Sequence, residues 1–269
     1  MLYSKTADKV PQIIEDYYIN KFLIKDIRVK YSIGKSTVIK ILKEFGSGGR
    51  SRNEYENNKY SCDESFFENI DNHEKAYWFG FIAADGNIYN GKLQICLNKK
   101  DEEHLNKFCK RINYNGPIYD DRSLKRLMIC RKKITEDLKV LGIIENKTLS
   151  INEKIFDNIP KEYLISAILG YIDGDGCFSF TRKTGIQFSI VGNEGFLNWI
   201  RCFFDQKGFL MSEPKKDKRT KQTFQIHFWI NDKKLDLVFD LLYRNTSLDF
   251  LERKKNKLIK LYEKRLIKV

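Results

Sequence analysis

AYWFGFIAADG at residues 76–86 and SAILGYIDGDG at residues 166–176 are two versions of one segment. Each carries a glycine at its fifth position, an apolar pair after it and a terminal Asp-Gly, and the two acids, Asp85 and Asp175, lie 90 positions apart. A repeat of that length is larger than a solenoid unit and indicates a duplicated half-domain. Both copies are too apolar on every side for a surface helix. Small residues at helical spacing (Gly80, Ala83, Ala84; Ala167, Gly170, Gly174) permit close backbone approach. Two buried helices packed on each other are expected, ended by Gly86 and Gly176 in the manner of C-terminal glycines.

Side by side and parallel, such helices bring Asp85 and Asp175 together. Two carboxylates beside two negative helix ends repel each other unless a cation lies between them. The expected occupant is Mg²⁺, with Mn²⁺ able to substitute, because Mg²⁺ takes few carboxylate oxygens, keeps waters and binds phosphate oxygens. Asp85 and Asp175, with the adjoining Gly86 and Gly176, are the candidate metal ligands. A metal held there activates water and stabilises a departing oxyanion in phosphodiester hydrolysis. The plainer alternative is that each Asp-Gly only caps a buried helix.

The pattern downstream of each acid is also duplicated. Ile88-Tyr89 and Lys92–Leu97 flank Asn90-Gly91, a hairpin signal, and Asp101–Ile112 has helical spacing. Cys177–Thr181 and Ile186–Val191 flank Lys183-Thr184-Gly185, and Asn193–Phe204 is again helical. Second strand pairs are read at Pro117–Asp121 with Arg126–Arg131 and at Phe209–Glu213 with Thr223–Ile230. Helices at Thr135–Leu141 and Leu235–Tyr243 close the copies, so each half reads αββαββα in an α+β fold. Phe224, Ile226, Phe228 and Ile230 alternate with Gln225, His227 and Trp229, and Ile186, Phe188 and Ile190 with Gln187 and Ser189, leaving one polar sheet face. A polar face of this kind fits a major groove, although a plain solvated face has the same pattern. Gln94, Arg131, Gln187, Ser189, Gln225 and His227 are the candidate DNA-reading residues. Arg122, Arg126, Lys215, Lys216 and Arg219, in or beside two charged loops, are candidates for phosphates.

The 269 residues are 42% hydrophobic with only 4 Pro, enough for a real core, and 49 Lys and Arg against 36 Asp and Glu give a net charge of +13. That balance favours a polyanion, nucleic acid first. No apolar run is long enough to cross a bilayer, and Met1 to Pro11 lacks a signal-peptide core, so an intracellular protein is expected, in bacterial or phage cytoplasm over an organelle. The 6 cysteines are scattered without a C-x-x-C, which points to reduced thiols and not to a zinc site.

Residues 1–45 read as three short helices, Val10–Ile19, Ile24–Tyr31 and Ser36–Phe45, with Lys35, Ser36, Thr37, Lys40 and Lys43 turned away from the apolar positions. IKDIRVKYSIGKSTVIKILKEF resembles the helix-turn-helix of resolvase-like and transposase-like DNA-binding domains, with Arg28, Ser32 and Gly34 departing from the pattern. A basic three-helix cap on a larger domain is the alternative. Residues 46–61 have the composition of a flexible linker, in which Arg50, Arg52 and Lys59 either follow phosphates or are solvated. The halves are then 62–155 and 156–269.

WFGFIAADG and ILGYIDGDG together resemble the paired LAGLIDADG motifs of homing endonucleases, from about Phe66 to the C-terminal helix. The resemblance implies a monomer whose two αββαββα halves form a saddle of four-stranded sheets over double-stranded DNA with a long, near-asymmetric target. It also implies Mg²⁺-dependent cleavage of both strands to leave 3′ overhangs, as in intron homing, with Asp85 and Asp175 as the metal-binding acids. Ala83 stands where the pattern has an earlier Asp, which the second copy keeps as Asp173. The family places a basic residue late in each half near the scissile phosphates: Lys147 in ENKTL, and Arg253 or Lys254 in LERKKNKL. An intron RNA maturase and a non-cleaving transcription regulator of the same fold are the rival readings.

Overall fold

The computed structural model of the chain describes residues 6–46, 59–145, 153–181, 185–217, 223–230, 232–244, 246 and 249–266. Arg50, Arg52, Lys147 and Arg219 lie outside the described residues. The chain forms two compact units, one of residues 1–62 with 113–116 and one of 63–112 with 117–269.

The first unit holds α1 (Val10–Tyr18), α2 (Ile24–Tyr31) and α3 (Lys35–Phe45), within a residue of the bounds expected from their apolar spacing. Ile13, Tyr17, Ile27, Val38, Ile41 and Leu42 make its core. Ser32 takes the left-handed conformation between α2 and α3 (φ 53°), and Ile33 N–H reaches back to the Arg28 carbonyl at 3.1 Å. This is the αL helix ending that glycine usually supplies, made here at the cost of about 1–2 kcal/mol for a side chain. Asp16 is buried and accepts from Lys30 Nζ (2.7 Å), Tyr31 Oη (2.8 Å) and Asn20 Nδ2 (3.0 Å), which ties α1 to the end of α2. The Lys30 hydrogen bond, against the opposing effect of burial, holds the Asp16 carboxyl below the usual carboxylate range.

In the second unit the motif segments are α4 (His73–Asp85) and α7 (Leu164–Asp175). Between them come β1 (Gly86–Tyr89), β2 (Lys92–Asn98), α5 (Glu102–Arg111), β3 (Ile118–Asp121), β4 (Leu124–Ile129) and α6 (Lys132–Val140). After α7 come β5 (Gly176–Thr181), β6 (Gly185–Gly192), α8 (Glu194–Asp205), β7 (Lys215–Lys216), β8 (Phe224–Ile230), α9 (Asp232–Phe239) and α10 (Glu252–Leu266). The two antiparallel sheets share one topology, β1-β2-β4-β3 and β5-β6-β8-β7, as the duplicated α+β reading requires. Asn72 and Asn193 start α4 and α8 by accepting the N–H three residues on, each at 2.9 Å. Asn90 and Gly91 both have positive φ (50° and 68°), the two-residue hairpin expected of Asn-Gly. Leu93, Ile95, Leu127 and Ile129, and Phe188, Ile190, Ile226 and Phe228, face the helices and are buried.

Two expectations need correction. Residues 209–213 are not a strand, and β7 is only Lys215–Lys216. Ser212 N–H donates to His227 O (2.8 Å), but His227 N–H returns to the Ser212 hydroxyl (3.0 Å), so a side chain replaces the backbone acceptor there and the ladder stops. Gly86 and Gly176 do end the helices, but in extended and not left-handed conformation (φ −73° and −81°). Glycine is needed there for space: a Cβ at Gly86 or Gly176 would come within 2.7 or 2.5 Å of the carbonyl oxygen of Ile82 or Ile172.

The two motif helices touch backbone to backbone. A Cβ at Gly80 would lie 1.8 Å from the Ala167 carbonyl oxygen, and one at Gly170 would lie 2.0 Å from that of Tyr77. With the repeat offset of 90, these two contacts are each other's counterparts, as across a two-fold axis. Gly174 packs on Ala84, its own counterpart, so that pair lies on the local axis.

A buried polar chain adds to this packing. Asp173, opposite in sequence to Ala83, turns its carboxylate inward, where Oδ2 accepts from Tyr77 Oη (2.8 Å) and Leu251 N (2.7 Å). His104 Nε2 lies 3.0 Å from Tyr77 Oη, and since that hydroxyl gives its proton to Asp173, the imidazole is the donor. Residues 249–254 thus strap the halves together: Asp249 accepts from Arg111 Nε (2.6 Å) and Trp78 Nε1 (2.9 Å), and Arg253 pairs with Asp101 through Nε and Nη2 at 3.0–3.2 Å.

Gly170→Ala should therefore force the helices apart and cost about 3 kcal/mol or more, whereas Gly34→Ala, with 3.8 Å of clearance, should cost under about 1 kcal/mol in denaturant unfolding. Burial first, then the charges of Lys107, Lys254 and Arg253, push His104 down to about 3, while an unfolded chain protonates it near 6.5. Its contribution to stability is accordingly lost as pH falls below about 6.5. Asp173, raised to about 6 chiefly by burial, works in the opposite sense. His104→Gln should gain stability relative to the unsubstituted chain between pH 7 and pH 5, read as a narrowing or reversal of their Tm difference.

Candidate active site

Asp85 and Asp175 are the last residues of α4 and α7, and the same packing that joins the helices joins their ends. A Cβ at Gly174, one residue before Asp175, would stand 3.4 Å from Asp85 Cγ. Asp85 is half-buried and Asp175 exposed. Both act on one buried group, the Tyr171 phenol. Burial first, then the charge of Asp175, its hydrogen bond and the charge of Asp85, push that phenol well above its ordinary value. Tyr171 thus feels both carboxylates.

Among the described residues no three His, Cys, Asp or Glu side chains gather into a cage for a metal ion. Two carboxylates at two helix C-termini fit a hard divalent cation that fills its shell with waters and phosphate oxygens. Asp85 and Asp175 would hold it, with the Gly86 and Gly176 backbone adjoining.

Both basic candidates of the second half already have partners within the chain. Arg253 is exposed and makes a paired contact with Asp101, whose hydrogen bonds raise the guanidinium's pKa. Lys254 is buried, its Nζ 2.8, 2.5 and 3.0 Å from the carbonyl oxygens of Ile172, Asp173 and Gly174. Burial lowers this ammonium's pKa, and the charges of Asp173, Asp85 and Asp175 oppose that.

The polar sheet faces hold most of the other candidates. Lys215, Lys216 and Arg122 are exposed, Arg122 at a turn with φ 54°. Arg126 is half-buried with Nη1 3.4 Å from Asp121. Gln225 is half-buried, Gln94 Nε2 lies 3.1 Å from Cys96 Sγ, and Gln187 Nε2 lies 2.7 Å from His227 Nδ1. Arg131 and Ser189 do not fit their expected roles. Arg131 is buried, its Nε 3.1 Å from Glu64, at the start of α6. Ser189 is buried in the central strand opposite Cys177 and His227. The register also shows that the counterpart of Gln94 is Ser189 and not Gln187, since Gly86 pairs with Ile95 and Gly176 with Ile190.

In the first unit α3 exposes Lys35, Ser36, Lys40 and Lys43, with Thr37 half-buried and Lys40 3.9 Å from Glu44. Reading the sequence missed Tyr77, Asp101 and Asp249, whose partners across the halves are 96 to 171 residues away, and His104, which joins them through Tyr77. Trp229, 46% exposed beside His227 on the polar face, was visible as an outward strand position.

No family model matches the chain. A stretch of 110 residues, 39% of the chain, is 29% identical to part of the reverse gyrase of Methanocaldococcus jannaschii, and spans only 6% of that protein. Among solved structures, the chain is similar to the LAGLIDADG meganuclease I-AabMI bound to uncleaved DNA (15% identity, TM-score 0.49, 71% of this chain and 90% of that one). It is likewise similar to the I-LtrWI LAGLIDADG homing endonuclease bound to target DNA (12%, 0.49, 73% and 92%). A third is I-DmoI in complex with DNA and Mn (14%, 0.41, 69% and 99%). Overlaps of this size leave the question of activity to the chain's own residues, while the solved structures named are all of homing endonucleases or meganucleases.

Proposed function

We propose that the chain is a site-specific, double-strand DNA endonuclease of the LAGLIDADG type, carrying a helix-turn-helix at its N-terminus. The observation that supports this most is the meeting of Asp85 and Asp175 at the ends of two helices in backbone contact. A structural cap has no need of two acids, and the repulsion between them is relieved by a divalent cation. Bound there, Mg²⁺ or Mn²⁺ would supply an activated water and neutralise the leaving oxygen. The two carboxylates fix its place, and the rigid helix pair keeps them from drifting apart. Both acids come from one chain, so a monomer would complete the site. The sheets differ in their outward residues, Gln94 and Arg126 in one against Gln187, Gln225 and His227 in the other, which suits a long, near-asymmetric target. Lys147 is the basic residue assigned to the scissile phosphate of the first half, and 3′ overhangs are the expected product. Affinity would come from the +13 net charge, and the α3 lysines would add phosphate contacts.

Cleavage of a randomised plasmid library with and without Mg²⁺ tests the reading. Double-strand breaks at one long sequence are expected, dependent on Mg²⁺ or Mn²⁺, and reduced at least about 100-fold in Asp85→Asn and in Asp175→Asn. Tight DNA binding without cutting in any metal would overturn it in favour of a regulator, or of a maturase if intron RNA is bound instead. Replacing Lys35, Lys40 and Lys43 together by Ala should weaken binding and lower the salt slope by up to about three, with the cleavage position unchanged. An unaltered salt slope would remove α3 from the interface.

A further inference from the structure

Lys254 stands in LERKKNKL, the stretch that the resemblance assigns to a phosphate-contacting base, yet its surroundings give it other work. A lysine ammonium has three protons to donate, and Nζ has three acceptors, the carbonyls of Ile172, Asp173 and Gly174. These are groups of the last turn of α7, which the helix leaves without intrahelical partners, apart from the Ile172 carbonyl that also receives Gly176 N–H. The side chain is buried, so no proton is left for a substrate. It is also fixed from outside. Leu251 N–H is held by Asp173, Arg253 by Asp101, and Asp249 by Arg111 and Trp78, so the start of α10 cannot swing outward without breaking four polar contacts.

The cap matters because of what the turn carries. Its final residue is Asp175, and its Gly174 packs on Ala84, which precedes Asp85. A positive charge inside the last turn offsets the negative end of α7 where two carboxylates approach it. We propose that Lys254 is a positioning residue: it caps the C-terminus of α7 and so holds Asp175 in register with Asp85 for the divalent cation, without touching the reacting phosphate. This rests on the endonuclease reading for its role in cleavage, but the cap itself is independent of it.

The test uses the full chain with Lys254→Met, which keeps the length of the side chain and removes the donors. Lys254→Gln, which keeps two donors on a shorter arm, serves if the first variant does not fold by circular dichroism. Amide hydrogen exchange of the metal-free, DNA-free protein should show Gly176 N–H, which bonds Ile172 O, exchanging at least about tenfold faster than in the unsubstituted chain. Mn²⁺ affinity, measured by the electron paramagnetic resonance of free Mn²⁺, should fall by about tenfold. The opposite sign is informative, since a lysine acting only as a nearby positive charge would raise Mn²⁺ affinity on removal. Unchanged exchange at Gly176, or Mn²⁺ affinity that is unchanged or increased, overturns the proposal. In cleavage, the half-saturating Mg²⁺ concentration should rise by about the same factor, and excess Mg²⁺ should restore the rate. A loss that excess Mg²⁺ does not restore makes Lys254 a catalytic residue and overturns the proposal too. If the unsubstituted chain cuts no DNA, the endonuclease reading fails, and exchange with Mn²⁺ binding still decides the cap.

Discussion

The contact between α4 and α7 is the constraint on which the second unit depends. Helices usually lie 8–10 Å apart with side chains between them. Here Gly80 and Gly170 have no side chain to interpose, and each receives the other helix's backbone. Close approach brings the ends, and hence both acids, to one place. The strands then begin without a linker at Gly86 and Gly176, so the orientation of each sheet is fixed by the helix before it. Position of the acids and position of the sheets are consequences of one packing choice.

That choice creates an electrostatic difficulty which the rest of the unit addresses. Two helix C-termini and three carboxylates, Asp85, Asp173 and Asp175, converge on a small region. Asp173 is turned inward and satisfied by Tyr77 and Leu251, and Lys254 enters from a different part of the chain to cover the carbonyls. Buried polar groups of this kind add little net stability but are costly to break singly, which favours one arrangement over its near neighbours. The strap of residues 249–254 acts in the same direction by joining α5 and α7 through Asp101 and Asp173.

Local features were legible in the sequence. The duplicated apolar segments, the Asn90-Gly91 hairpin and the three N-terminal helices are set by spacing and turn chemistry within a few residues, and they are where the sequence reading placed them. The convergence of Asp85 and Asp175 was legible because duplication repeats the signal. Arg131 and Lys254 were misplaced in role because a basic residue looks the same in sequence whether it meets a phosphate or, as here, Glu64 and a helix end. Strand register between the two sheets was not legible at all. β5 and β6 are longer than β1 and β2 on the turn side by two residues each, so the counterpart of Gln94 falls at Ser189. Strand register depends on the length of the hairpin, which alternation alone does not count.

The Ala84–Gly174 contact carries a consequence for how such a chain arises. A Cβ at Gly174 would meet that of Ala84 at 2.3 Å, where carbon atoms normally rest about 3.5–4.0 Å apart. On a two-fold axis a homodimer must place the same residue twice. Two copies of the first half would therefore set alanine against alanine and be pushed apart, and two copies of the second would set glycine against glycine and leave a gap. Only unlike halves fill the axis at this spacing. Within a single chain the two positions are free to differ, and alanine against glycine is a pairing that symmetry would forbid.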